Sequence, residues 1–146
     1  MAGVRPFVDM AVKTYLFACV HNAGRSQMAA ALFNLYADSE ECRAISAGTQ
    51  PASQVHPEVV EVMRETGIDL SGAKPQKLTD ELARTASVLV TMGFGEVCPL
   101  VPGLRTLDWS LLDPKDQSLD AVRTIRNDIH QRVKGLMRND CADCLR

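Results

Sequence analysis

From Lys13 onward, short continuous apolar runs take turns with longer segments whose apolar residues recur at helical spacing. Thr14–Ala18, Cys42–Ala47, Ser87–Thr91 and Leu104–Leu107 read as strands, and the first is apolar on both faces, as a buried strand requires. Ser26–Tyr36 places Met28, Ala29, Leu32, Phe33 and Tyr36 on one helical face. Pro57–Thr66 reads as a helix with Pro57 in its first turn and Gly67 as its stop. Thr79–Arg84 is a short helix with Thr79 as cap, and the segment before it, "GIDLSGAKPQKL", is loop. The last element, Leu119 to Met137, carries Val122, Ile125, Ile129, Val133 and Leu136 at helical spacing.

Strands alternating with helices predict an α/β fold: an open parallel sheet with helices on both faces. Ligands in such sheets sit beyond the carboxyl ends of the strands. Three reactive groups fall on that edge: Cys19 after the first strand, Cys98 after the third, beyond a Gly93/Gly95 loop, and Asp113 after the fourth. One domain, residues 13–138, accounts for all the predicted elements. Residues 1–12 read as an N-terminal extension, and 139–146 as a C-terminal tail.

Composition narrows the setting. The chain has 146 residues, enough for one substantial core. A formal charge of −2 gives no reason to expect a nucleic acid or a membrane surface as partner. No apolar run is long enough to span a bilayer, and the first dozen residues lack a signal-peptide core, so a cytoplasmic location is expected. The five cysteines are odd in number and irregularly spaced, which argues against a disulfide framework and for thiols that are buried or chemically active.

The stretch "CVHNAGRS", Cys19 to Ser26, holds the candidate chemistry. A loop curling from a strand into a helix N-terminus aims the backbone N–H groups of Val20, His21, Asn22, Ala23 and Gly24 toward one point and makes an anion cradle. The same field favours a thiolate at Cys19, which makes it a nucleophile. Arg25 supplies a planar fork for two oxygens of a tetrahedral oxyanion, and Ser26 can donate a hydrogen bond to the sulfur. Gly24 gives the loop room to turn, and Asn22 tolerates a left-handed backbone. The implied substrate is a phosphate-like oxyanion attacked by sulfur; the bland reading makes Cys19 a small core residue and Arg25 an exposed cation.

"CVHNAGRSQMAAALF" resembles the active-site loop of the low-molecular-weight protein tyrosine phosphatase family, and more closely that of its arsenate reductase branch. The similarity extends over about Lys13 to Met137 and includes "SAGT" at Ser46–Thr49, "HPEVVEVMRETGIDLSG" at His56–Gly72, "VLVTMG" at Val88–Gly93 and "DWSLLDP" at Asp108–Pro114. The resemblance implies a flavodoxin-like sheet of four parallel strands, Cys19 as nucleophile, Arg25 as oxyanion binder and Asp113 as general acid. It implies no tightly bound cofactor, but an external thiol reductant: thioredoxin, glutaredoxin with glutathione, or mycothiol.

Reductase and phosphatase share the first step and part at the second. A phosphatase hydrolyses its covalent intermediate with water, whereas a reductase attacks the Cys19 sulfur with a second thiol and expels arsenite. Tyrosine phosphatases of this fold usually carry adjacent tyrosines after Asp-Pro, where this chain has Lys115-Asp116. Gln27-Met28-Ala29 is similar to the reductase branch, and Cys98 lies on the right edge to be the second thiol. The expected activity is therefore thiol-dependent reduction of arsenate to arsenite with residual phosphatase activity; the alternatives are a tyrosine phosphatase and a noncatalytic oxyanion-sensing module. Thioredoxin-coupled relatives generally place two further cysteines around Met92–Cys98, and Phe94 stands where one of them is often found.

Other residues carry less. The terminal "CADC", Cys141 to Cys144, suits redox or metal chemistry by spacing. The last helix, however, carries it roughly 27 Å from the Asp113 edge, at ~1.5 Å per residue. His21 either touches substrate or shapes the loop; His56 reads as structural; with His130 they give no metal-ligand spacing. Some family members bind potassium through an acidic residue on the first helix, a position filled here by Ala30. Cys42 is expected to be a buried thiol opening an interior strand, and Trp109 to pack beside the Asp113 loop.

Overall fold

The structure is a computed structural model and describes residues 12–93 and 102–140. Phe94, Gly95, Cys98, Cys141 and Cys144, with the extension before Val12 and the last six residues of the tail, lie outside the described residues. Four strands, β1 (Lys13–Cys19), β2 (Cys42–Gly48), β3 (Val88–Met92) and β4 (Arg105–Trp109), form one parallel sheet in the order β2-β1-β3-β4. The helices are α1 (Arg25–Tyr36), α2 (Pro57–Arg64), α3 (Asp80–Arg84) and α4 (Leu119–Asp140). Pairing runs Lys13↔Cys42 to Cys19↔Gly48 on one side of β1 and Tyr15↔Val88 to Ala18↔Thr91 on the other. Connections leave β1 in opposite directions, so the carboxyl ends of β1 and β3 flank the point where an open α/β sheet parts to receive a ligand.

The two faces of the sheet are covered unequally. Tyr15, Phe17 and Cys19 of β1 and Val88, Val90 and Met92 of β3 join a large core with α1, α2 and α4. On the other face, among the described residues, Leu16, Ala18, Ala47 and Leu89 meet only Ala83 of α3 and a fringe of half-buried residues. Phe33 of α1 packs with tilted rings against Tyr15 and Phe17 at centroid distances of 4.8 and 6.0 Å, and Trp109 meets Phe17 at 5.7 Å. Fully buried Phe17 and Phe33 contribute roughly 2–3 kcal/mol each.

Local chemistry sets the boundaries. Thr79 caps α3, its hydroxyl accepting the Leu82 N–H at 3.1 Å. α2 stops at Arg64, short of the expected Thr66. Gly67 at φ 83° closes it there, the Ile68 N–H donating to Met63 and the Gly67 N–H to Arg64. Two expectations need correcting. Cys42 is buried, but β2 is an edge strand, because β3 takes the other side of β1. α4 runs to Asp140, beyond the helix end expected at Met137, and Asp140 is anchored to Arg105 and Tyr15.

Candidate active site

Cys19 is the last residue of β1, and residues 20–24 carry the chain into α1. Every carbonyl of that loop is engaged. Val20 accepts from the Gln50 N–H at 2.8 Å, His21 from Ala52 at 2.9 Å, and Ala23 from His56 at 2.9 Å. Asn22 accepts from Gln27 Nε2 at 3.1 Å, and Gly24 from the Met28 N–H at 2.9 Å. In a trans peptide the C=O and the next N–H point in opposite directions. Tying these oxygens to the scaffold therefore turns the N–H groups of residues 21–25 toward the enclosed side. The helix start adds to the same field: α1 has no side-chain cap and no acidic residue in its first turn.

Cys19, 2% exposed, sits at the bottom of this cradle. Its Sγ lies 2.9 Å from Ser26 Oγ, and Asn22 Nδ2 donates to that same oxygen at 2.7 Å. With Asn22 donating to it, the Ser26 hydroxyl keeps its own proton free to turn toward the sulfur. Asn22 is fixed in turn: its backbone is left-handed at φ 50°, and its Oδ1 accepts the Gln76 N–H at 2.9 Å and Gln27 Nε2 at 3.2 Å. Gln76 is held beside the end of β2, its carbonyl accepting the Gly48 N–H at 2.9 Å.

Arg25 opens α1 with a guanidinium that is almost entirely buried. Its Nη1 donates to the Leu111 carbonyl at 3.2 Å, and its Nη2 lies 3.7 Å from Asp113 Oδ2. Nε is buried and has no hydrogen-bond partner among the described residues. A buried cationic donor without an acceptor is costly unless an anion arrives to take it. Asp113 is different: its side chain is 46% exposed, and its Oδ1 accepts the Lys115 N–H at 3.0 Å. The neighbouring Pro114 rests on Gly24, so closely that a Cβ there would stand 2.6 Å from Pro114 Cγ.

The structure therefore brings Cys19, Arg25, Asp113 and the loop residues 20–26 together. Cys98 falls outside the described residues. His21 donates from Nδ1 to the Gln50 carbonyl at 3.0 Å, a loop-shaping contact, and His130 pairs with Tyr36 on the far side of α1. Cys42 is at the opposite end of the sheet beside Lys13. Burial first, then Asp38 and Glu41, push its thiol up to about 11, so it stays protonated at neutral pH. Sequence reasoning missed Gln50, Ala52, Leu111 and Gln76. All four act through backbone groups, which no side-chain pattern marks.

Comparison with known proteins shows which family the fold belongs to. Residues 14–143 match the family model described as low molecular weight phosphotyrosine protein phosphatase. A Halobacterium salinarum protein provisionally named an arsenate reductase is 39% identical over 124 residues, covering 82% of this chain and 87% of that one. The glutaredoxin arsenate reductase of Synechocystis is 33% identical over 129 residues, covering 86% and 97%. Among solved structures, the thioredoxin-dependent arsenate reductase of Corynebacterium glutamicum superposes with a TM-score of 0.76 at 41% identity, covering 94% of this chain and 66% of that one.

Proposed function

The chain belongs to the low molecular weight phosphotyrosine protein phosphatase family, and we propose that within it the protein is a thiol-dependent arsenate reductase. The observation that carries this reading is the similarity, across more than four-fifths of the chain, to proteins named arsenate reductases. The site adds chemical support: a buried sulfur, a buried guanidinium with an unused donor, and Lys115-Asp116 in place of an aromatic clamp.

The reaction follows from the groups. Arsenate enters the cradle, where the loop N–H groups and Arg25 take its oxygens and so stabilise charge that develops in the transition state. The Cys19 thiolate attacks arsenic, one oxygen departs as water with the proton from Asp113, and a sulfur–arsenic(V) bond forms. A second thiol then attacks Cys19 Sγ. A disulfide forms, the sulfur–arsenic bond breaks with its electron pair going to arsenic, and arsenite leaves. That thiol is either Cys98 or an external one, and thioredoxin, glutaredoxin with glutathione, or mycothiol restores the enzyme. The first step does not distinguish phosphate from arsenate, so residual phosphatase activity accompanies the reduction.

Arsenite release measured in parallel with the three donor systems tests this reading. At least one should sustain turnover; none doing so, while an aryl phosphate is cleaved efficiently, makes the protein a phosphatase. Unchanged arsenite production in Cys98→Ser removes Cys98 from the mechanism.

A further inference from the structure

Gly93 directly follows β3 with φ 76°, and its Cα faces the Arg25 guanidinium. A Cβ built there would stand 1.9 Å from Arg25 Nη1 and 2.8 Å from Cζ, well inside contact distance. The guanidinium therefore occupies the volume that any side chain at position 93 would fill. It is held from the other side by the Leu111 carbonyl on Nη1 and by Asp113 near Nη2. Nε is buried and has no hydrogen-bond partner among the described residues, and Nη2 has only the 3.7 Å ion pair with Asp113.

We propose that Gly93 is a positioning residue for oxyanion binding: by leaving its Cβ volume empty, it lets the Arg25 fork lie flat against β3 with Nε directed at the anion. This deepens the proposed function and rests on its assignment of Arg25 as oxyanion binder. A methyl group at position 93 forces the guanidinium away, and Nη1 loses Leu111 while Nε loses its aim. Since a charge-assisted hydrogen bond is directional, displacement of about an ångström removes most of it. The loss falls on oxyanion binding, common to substrate and product analogue, rather than on the sulfur.

The position also carries ordinary backbone strain, which has to be separated from the contact. Gly67 supplies the comparison, because it has φ 83° and nothing within 4 Å of where its Cβ would be. Gly67→Ala therefore imposes a similar strain with no guanidinium to move.

The test is equilibrium binding of inorganic phosphate to the full chain by calorimetry, with urea unfolding measured alongside. Phosphate reads the cradle whether the enzyme reduces arsenate or hydrolyses esters, so a failure here is distinct from a failure of the reductase reading. Gly93→Ala is expected to weaken phosphate by roughly tenfold or more, and Gly67→Ala to leave it unchanged while losing comparable stability. Gly93→Asn, whose backbone tolerates positive φ, carries the same Cβ and should lose affinity with less loss of stability. On an Arg25→Lys background, with no fork to displace, Gly93→Ala should add little further loss. Wild-type phosphate affinity in both Gly93 variants overturns the proposal, and so does a full-sized Gly93→Ala effect that persists in Arg25→Lys.

Discussion

Two arginine–aspartate pairs stand at opposite ends of the same sheet, and their burial is reversed. At the carboxyl end Arg25 is buried and Asp113 is half exposed, 3.7 Å apart, and the buried Nε has no hydrogen-bond partner among the described residues. At the amino end Arg105 is half exposed and Asp140 is 9% exposed, and the two meet through both carboxylate oxygens. Asp140 also accepts from the Tyr15 hydroxyl at 3.4 Å, while its carbonyl takes the Lys13 ammonium at 3.3 Å. The second pair is satisfied and joins β1, β4 and α4. The first keeps capacity in reserve. A satisfied buried charge stabilises a fold, whereas an unsatisfied one marks the place where a ligand completes it.

Four substitutions sharpen or break this contrast. Arg25→Ala should lower kcat/KM for arsenate by roughly 10³-fold. Its urea midpoint should hold or rise, because a buried unpaired donor is removed. A large loss of stability would erase the distinction between the pairs. Next in size, Asp113→Asn should cut kcat by about 10²-fold with the thermal midpoint unchanged, since the carboxyl is half exposed; undiminished kcat in stopped-flow assays would place the acid elsewhere. Arg105→Ala inverts the pattern. Unfolding free energy should fall by about 2 kcal/mol as Asp140 loses its cation and is left with the Tyr15 hydroxyl, while activity per folded molecule is retained.

The smallest effect is one of pH. Burial first, then Asp140, raise Tyr15 from 10.0 to about 12. The folded state holds this proton more tightly than the unfolded chain, so the contribution to stability is complete below pH 10.0 and is lost as pH rises toward about 12. Tyr15→Phe should flatten the fall in unfolding free energy across that window. An unaltered slope would show that Tyr15 is not the group titrating there.

The order of strands and helices was legible because β1 and β3 are buried on both sides and α4 keeps its apolar stripe throughout. That Cys19 and Arg25 flank one short loop was legible too, because a strand ends at the one and a helix starts at the other. The supporting contacts were not. Gln76 reaches Asn22 across 54 residues of sequence, and Gly93 meets Arg25 only because β3 lies beside β1. The edge position of β2 depends on which side of β1 the later strands join, and local pattern carries no such information. Asp140 did leave one trace: an acidic residue in the last turn of a helix opposes the helix dipole and so calls for a cation nearby.

Pro114 resting on Gly24 has a consequence for the timing of proton transfer. A general acid spends part of every turnover without charge and part with it. Were the loop carrying Asp113 held to Arg25 by attraction alone, it would loosen at each protonation and need time to return. Contact between a proline ring and a bare α-carbon has the same strength in both states. In the general-acid role proposed for Asp113, its loop therefore stays in place through each loss and return of the proton.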